Sequence, residues 1–267
     1  MKMSRLVTKK TERMEKSDMN EIDSGTAAEA LNGGAAEISE TKKNRLASRL
    51  GKLIDSVKKR PTFYLIYAFL LPVALNYLIY LAMEIHPFGN GSVLVLDLNG
   101  QYVYFYEALR NAIYGKMSFI YSFCCNMGGE FMGIFAYYVA SPFAFLVALF
   151  PQERILDALL FIFLLKTGIS GFNFGFYLHR TSRGKVNKLS VVTFSVLYAL
   201  TTYAIIHQHN SMWIDAMMWL PLLTLSIEEL IKNYKYKRFV ILLALTMISN
   251  FYIGYMVCIY VAAYFFY

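Results

Sequence analysis

Mainly apolar stretches recur at residues 62–85, 131–150, 155–178, 189–206, 212–227 and 239–260, and the apolar character runs on to Tyr267. Stretches of this order can carry a helix across about 30 Å of hydrocarbon at about 1.5 Å per residue. The chain before residue 61 has a different pattern. Residues 17–41 are acidic and rich in Gly and Ala, and they cannot bury enough apolar surface to offset the entropy of ordering, so a disordered cytoplasmic tail is expected over residues 1–44. Residues 45–60 read RLASRLGKLIDSVKKR, with Leu46, Leu50, Leu53, Ile54 and Val57 at helical spacing and Arg45, Arg49, Lys52, Lys58 and Lys59 elsewhere. This predicts a basic amphipathic helix lying on anionic membrane lipids. With no cleavable leader pattern in this polar start, the first apolar stretch is expected to initiate membrane insertion.

Lys and Arg placement orients the spans. Eight basic residues between Lys42 and Arg60 put the N-terminus in the cytoplasm and the end of the first span outside. If residues 131–150 crossed the membrane, the basic loops 179–188 and 232–238 would both face outward. If residues 131–150 form instead an interfacial or re-entrant helix broken near Ser141 and Pro142, both loops face the cytoplasm. The second solution obeys the positive-inside rule and implies that protein or a cavity covers the broken segment. The expected fold is therefore an all-α, polytopic helical membrane protein: about five transmembrane helices plus an outer-face element, in a transmembrane domain of residues 61–267 with an outer loop at 86–154.

Composition sharpens the same break. All 44 aromatic residues lie after residue 60, while the first 60 residues hold 14 of the 26 Lys and Arg and 9 of the 18 Asp and Glu. The remaining body is too poor in charge for a soluble globule. The basic balance (pI about 9.2) is assigned to a membrane surface and not to nucleic acid, because the basic groups flank apolar spans. Cys124 and Cys125 are adjacent and Cys258 lies in an apolar run, so neither a disulfide framework nor a zinc pattern is implied.

Polar chemistry gathers in the outer segments. Asp97, Asn99, Gln101, Glu107 and Arg110 interleave with Tyr102, Tyr104, Phe105 and Tyr106, and residues 102–113 are expected to form a surface helix with its aromatics towards lipid headgroups. A carboxylate such as Asp97 at a cavity mouth can act as a general base or hold a divalent ion. Asp is equally a favoured helix N-cap, and residue type leaves both readings open. Asp215 falls about one turn inside the fourth span, and Lys166 near the midpoint of the second. Intramembrane charges mark functional sites or structural pairs; Asp215, Glu84 or a ligand phosphate are the candidate partners of Lys166. Trp213 and Trp219 are expected to be interfacial anchors, while His207 and His209 diverge on a helix and are weak evidence for metal. The Asn250, Tyr252, Gly254 run suggests a packing notch between helices. No nucleotide-binding loop, hydrolase triad or zinc-protease motif is present.

In order along residues 63–265, DLNGQYVYFY, GIFAYYVASPFAFLVALFP, LLKTGISGFNFGFYL, NSMWIDAMMWLPLL and ISNFYIGYMVCIY resemble the YfhO family of bacterial membrane proteins. The resemblance implies a polytopic fold similar to the glycosyltransferase C superfamily, in which an acidic residue of the first outer loop lies beside interfacial helices. Enzymes of that kind move a sugar from a polyprenyl-phosphate carrier to a cell-envelope acceptor at the outer face. By resemblance, Asp97 matches the first-loop acid, Gln101 and Tyr102 the rest of its motif, and Asp215 the acid after the third span. The expected activity is sugar transfer with Asp97 catalytic and Gln101, Tyr102, Arg154, Lys166, Asp215 and Asn250 binding substrate; Lys166 and Arg154 would contact the carrier phosphate. The alternatives are a non-enzymatic flippase or transporter component for lipid-linked sugars, in which Lys166 and Asp215 form the pathway, and an inactive remnant. Because family members are several times longer, the chain is also expected to be an N-terminal part of a larger protein.

Overall fold

The computed structural model describes residue 48 and residues 62–123, 127–183 and 185–267. The expected tail, nearly all of the expected amphipathic helix, and Cys124 and Cys125 lie outside the described residues. The chain divides into two units, Met1–Phe63 and Tyr64–Tyr267. Among the described residues the second unit builds α1 (Leu65–Ala82), α2 (Val103–Ile113), α3 (Ile155–Thr181), α4 (Lys188–Ala199), α5 (Thr202–Ile206), α6 (Ser211–Asn233), α7 (Tyr236–Ser249) and α8 (Phe251–Phe266). A small antiparallel ribbon joins β1 (Tyr121–Ser122) to β2 (Gly129–Glu130), with Tyr121 opposite Glu130.

Helix α1 contains no Asp, Glu, Lys or Arg, and it buries Leu65, Ala68, Pro72, Asn76 and Tyr80 at successive three- and four-residue intervals while its other faces stay exposed. Such a narrow buried stripe on an apolar helix suits a lipid surround. Its partner α3 presents Gly168, Gly171 and Gly175 on the facing side; a Cβ on Gly171 would stand 2.3 Å from the Ala68 carbonyl oxygen. The contacts run from Tyr64–His179 at one end to Asn76–Thr167 further along, so α1 and α3 are antiparallel. Among the described residues, three segments are long and apolar enough to cross a membrane, Leu65–Ala82, Gln152–Thr181 and Lys188–His209. The third bends where Thr201 caps α5 by accepting from the Ala204 amide.

Helix α6 runs parallel to α3. Lys166 meets Ser211 and Asp215, Asn173 donates to the Met218 carbonyl, and Arg180 reaches Glu229. Both basic loops thus come to the same end of the bundle, where Arg238 and Lys232 pair with Glu229 and Glu228. Residues 131–150 do not form one helix: a short turn at Met132–Ile134, a wide π-type turn at Phe135–Val139 and a 3-10 helix at Ala144–Leu149 are separated around Ser141 and Pro142. Phe135 packs edge-on against Phe145, 6.1 Å between centroids, so the segment doubles back. With α2, it forms a cap at the other end of the bundle, and its core joins Leu98, Tyr106, Leu109, Phe131 and Val147 to Leu159 and Ile162 of α3.

The last apolar stretch departs from expectation. Residues 239–260 are not a single span, because Asn250 is extended (φ −164°, ψ 113°) and separates α7 from α8. Helix α7 returns antiparallel to α6, with Arg238 beside Glu229; α8 then runs parallel to α6, with Tyr260 on Thr224 and Tyr264 on Glu228. The reversal needs little loop because Asn250 supplies its own replacements for lost helix bonds. Its Oδ1 accepts from the Ile253 amide, and its Nδ2 donates to the Tyr137 carbonyl of the cap. Gly254 lets the two helices meet: a Cβ there would lie 2.7 Å from Met247 Sδ and 3.0 Å from Met247 Cα.

Candidate functional site

Asp97 precedes the wide turn Leu98–Tyr102 that leads into α2. Its carboxylate is exposed at the cap end and caps no backbone amide, so the N-cap reading fails. Instead its Oδ2 accepts from the Tyr102 hydroxyl at 3.2 Å. The Tyr102 ring is buried, and burial followed by the neighbouring Asp97 carboxylate pushes its phenol well above the ordinary tyrosine range. The Tyr102 phenol therefore keeps its proton and donates it to the Asp97 carboxylate.

Behind this pair lies a wall of rings. Tyr102 sits 5.1 Å from Tyr138, Tyr138 4.6 Å from Tyr137, and Tyr137 5.6 Å from Phe251 at the start of α8. Because Asn250 holds the Tyr137 carbonyl, the wall connects Asp97, Tyr102 and Asn250, which sequence reasoning singled out separately. Gln101 is exposed on the same turn as Tyr102. The aromatics of α2 do not all face headgroups as expected. Tyr102 and Tyr106 point into the cap core, and only Tyr104 is broadly exposed, because the doubled-back segment 131–150 covers the other face.

Lys166 and Asp215 lie on the bundle side of the cap, 3.0 Å apart and only 2% and 0% exposed. The ammonium also donates to the Ser211 carbonyl (2.8 Å) and hydroxyl (2.9 Å). Glu84, the other carboxylate considered, is exposed beyond the end of α1. From the cap, Ser141 faces the Asp215 carboxylate and the Phe143 ring stands 5.8 Å from the Lys166 nitrogen. Trp219 packs on Phe143 and Trp213 on His207, with both indole N–H groups buried; the cap shields them from the interface they were expected to anchor.

Arg154 stands apart from both groups. Its Nε lies 3.2 Å from Asp157 Oδ2, and His86 Nε2 lies 2.9 Å from Asp157 Oδ1. His86 and Asp157 were not foreseen: a pairing across 71 positions leaves no trace in spacing. His207 and His209 do not converge with acids, and among the described residues no three His, Cys, Asp or Glu side chains gather.

These features define an all-α polytopic membrane protein with a polar and aromatic cap over one end of its helix bundle. The family model described as "Bacterial membrane protein YfhO" matches residues 68–267, and the chain belongs to that family. The "Uncharacterized protein YfhO" of Bacillus subtilis (strain 168) is 27% identical over 168 residues, which cover 57% of this chain. The match spans 19% of that relative's own length. No solved structure matches.

Proposed function

We propose that this protein takes part in sugar transfer at the outer face of the bacterial cell membrane, from a polyprenyl-phosphate carrier to a cell-envelope glycopolymer. The observation that carries this reading is the exposed Asp97 carboxylate, aligned by the buried Tyr102 hydroxyl at 3.2 Å in front of an aromatic wall. Aromatic faces beside an acid suit a sugar ring and its hydroxyls. In this reading Asp97 takes the proton of the acceptor hydroxyl while that oxygen bonds to the anomeric carbon. The bond from that carbon to the phosphate oxygen breaks, and the phosphate leaves on its polyprenyl chain.

Gln101 and Tyr102 orient the acceptor, and Arg154 contacts the carrier phosphate. Asn250 fixes the wall through Tyr137, while Lys166 and Asp215 brace the floor under the cap. The gathering of both basic loops at the end opposite the cap supports a cytoplasmic N-terminus. Replacing Asp97→Asn in the native cell tests the reading, since removing a general base slows transfer by about 10²–10⁴-fold. Envelope sugar content should fall to the level of a deletion strain. Wild-type sugar content in cells that make normal amounts of the variant would refute the role of Asp97.

A further inference from the structure

At the end of the bundle opposite the cap, the chain turns from α6 into α7 through Tyr234 and Lys235. Tyr234 closes α6 with φ 55° and ψ 28°, its amide donating to the Leu230 carbonyl at 2.9 Å. Glycine or asparagine usually takes this left-handed position, because a larger side chain is crowded there. A tyrosine is strained in it, and this ring is 86% exposed, so packing does not offset the strain. Tyr236, two positions on, is 60% exposed. Both rings line a pocket of about 370 Å³ together with Lys235, Lys237, Arg238 and Glu229.

The balance of charge in this pocket is positive. Its carboxylate, Glu229, is already taken: Arg238 Nη1 donates to both oxygens at 2.7 and 2.9 Å, and Arg180 Nη2 stands 3.7 Å away. The other nitrogens of the Arg238 guanidinium have no partner among the described residues, and Lys235 and Lys237 are exposed without an ion pair there. Phosphate oxygens suit these three cations, whereas a zwitterionic headgroup brings a cation of its own that they repel. Beyond the pocket the surface turns apolar. Lys237, Ile241, Ala244 and Ile248 fall at i, i+4, i+7 and i+11 of α7 and all are exposed, a stripe about 16 Å long. A phospholipid fills both the cationic head and the stripe; a soluble polyanion would use the head alone.

We infer that this turn is a specific site for one anionic phospholipid. The phosphate lies between Lys235, Lys237 and Arg238, the headgroup against the Tyr234 and Tyr236 rings, and an acyl chain along Ile241, Ala244 and Ile248. A basic loop alone attracts a leaflet diffusely. The strained Tyr234, the pocket and the stripe together turn that attraction into a site, with the two rings at the interface depth that tyrosine favours. The site lies at the opposite end of the bundle from Asp97 and does not depend on the proposed sugar transfer.

The test uses the full chain in phosphatidylcholine vesicles with a trace of phosphatidylglycerol that carries a diazirine in its acyl chain. Labelling should concentrate on residues 237–248. Unlabelled phosphatidylglycerol should compete, and added phosphatidylcholine or phosphatidylethanolamine should not. Lys235→Gln and Lys237→Gln together should lower labelling about 25-fold, since each surface cation contributes about fivefold. Tyr234→Gly relieves the left-handed strain, so it should leave the melting temperature in detergent unchanged or raised while cutting labelling by at least half. That combination separates a lipid contact from a merely structural part. Labelling spread evenly over the lipid-facing helices, equal competition by a zwitterionic lipid, or full labelling in either variant would overturn the assignment. Displacement by an oligonucleotide at equal phosphate concentration would overturn it in favour of a soluble polyanion.

Discussion

A buried ammonium is tolerated only when its charge and protons find partners, and Lys166 donates to the Ser211 carbonyl and hydroxyl and stands 3.0 Å from the Asp215 carboxylate. This completeness separates it from Asp97, whose carboxylate faces outward with one phenolic donor. The first is enclosed in the bundle; the second is open to the surface. Removing one partner strands the other, so Lys166→Met should destabilise the fold by about 3–5 kcal/mol, whereas Lys166→Met combined with Asp215→Leu should recover most of the loss. Thermal unfolding in detergent checks both, and a double variant no better than the single one would count against a closed pair. That Lys166 lies in an apolar run and needs a partner was legible in the sequence, and Asp215 stood among its three candidate partners. Which of them it takes, and the parts of Ser141 and Ser211, were not, since nothing in a serine's neighbours tells which distant residue it will face.

At the scale of elements, apolarity predicted where helices run but not where they break. Pro142 announced one interruption, and the doubled-back cap segment agrees with the charge argument that kept residues 131–150 from crossing. Asn250 announced another only faintly. Within ISNFYIGY a continuous apolar run reads as one span, and the capping bond to Ile253 and the close approach at Gly254 exist only once the chain has turned. The helix contacts yield a sharper prediction. At Gly171 an added Cβ would strike the Ala68 backbone oxygen, which cannot rotate away, so α1 and α3 must separate. Gly171→Ala should therefore cost about 1–3 kcal/mol, the usual range for overpacking. Gly100, in the turn after Asp97, has nothing within 4 Å of an added Cβ, and Gly100→Ala should leave the melting temperature nearly unchanged. The difference in melting temperature between these two variants, measured in one lipid environment, tests the packing directly.

For the whole molecule, the break at Asn250 alters the number of crossings and the side on which the chain finishes. A single span over residues 239–260 would carry Tyr267 to the end that bears the cap. Two helices of 14 and 16 residues, about 21 and 24 Å long, instead bring Tyr264 back to Glu228, beside the basic loops. Each is short for a typical bilayer, yet the turn between them is held by the cap through Tyr137 and need not reach water. With the basic loops cytoplasmic, the expected arrangement has Ser182, Tyr234 and Tyr267 inside and Asn99 outside. Single cysteines at these four positions, in a chain whose native cysteines are replaced, distinguish the outcomes with a membrane-impermeant maleimide on intact cells. Asn99→Cys should label, and the other three should label only after the membrane is opened. Labelling of Tyr267→Cys alone from outside would restore the single last span, whereas labelling of Ser182→Cys would invert the bundle and place the cap, with Asp97, in the cytoplasm.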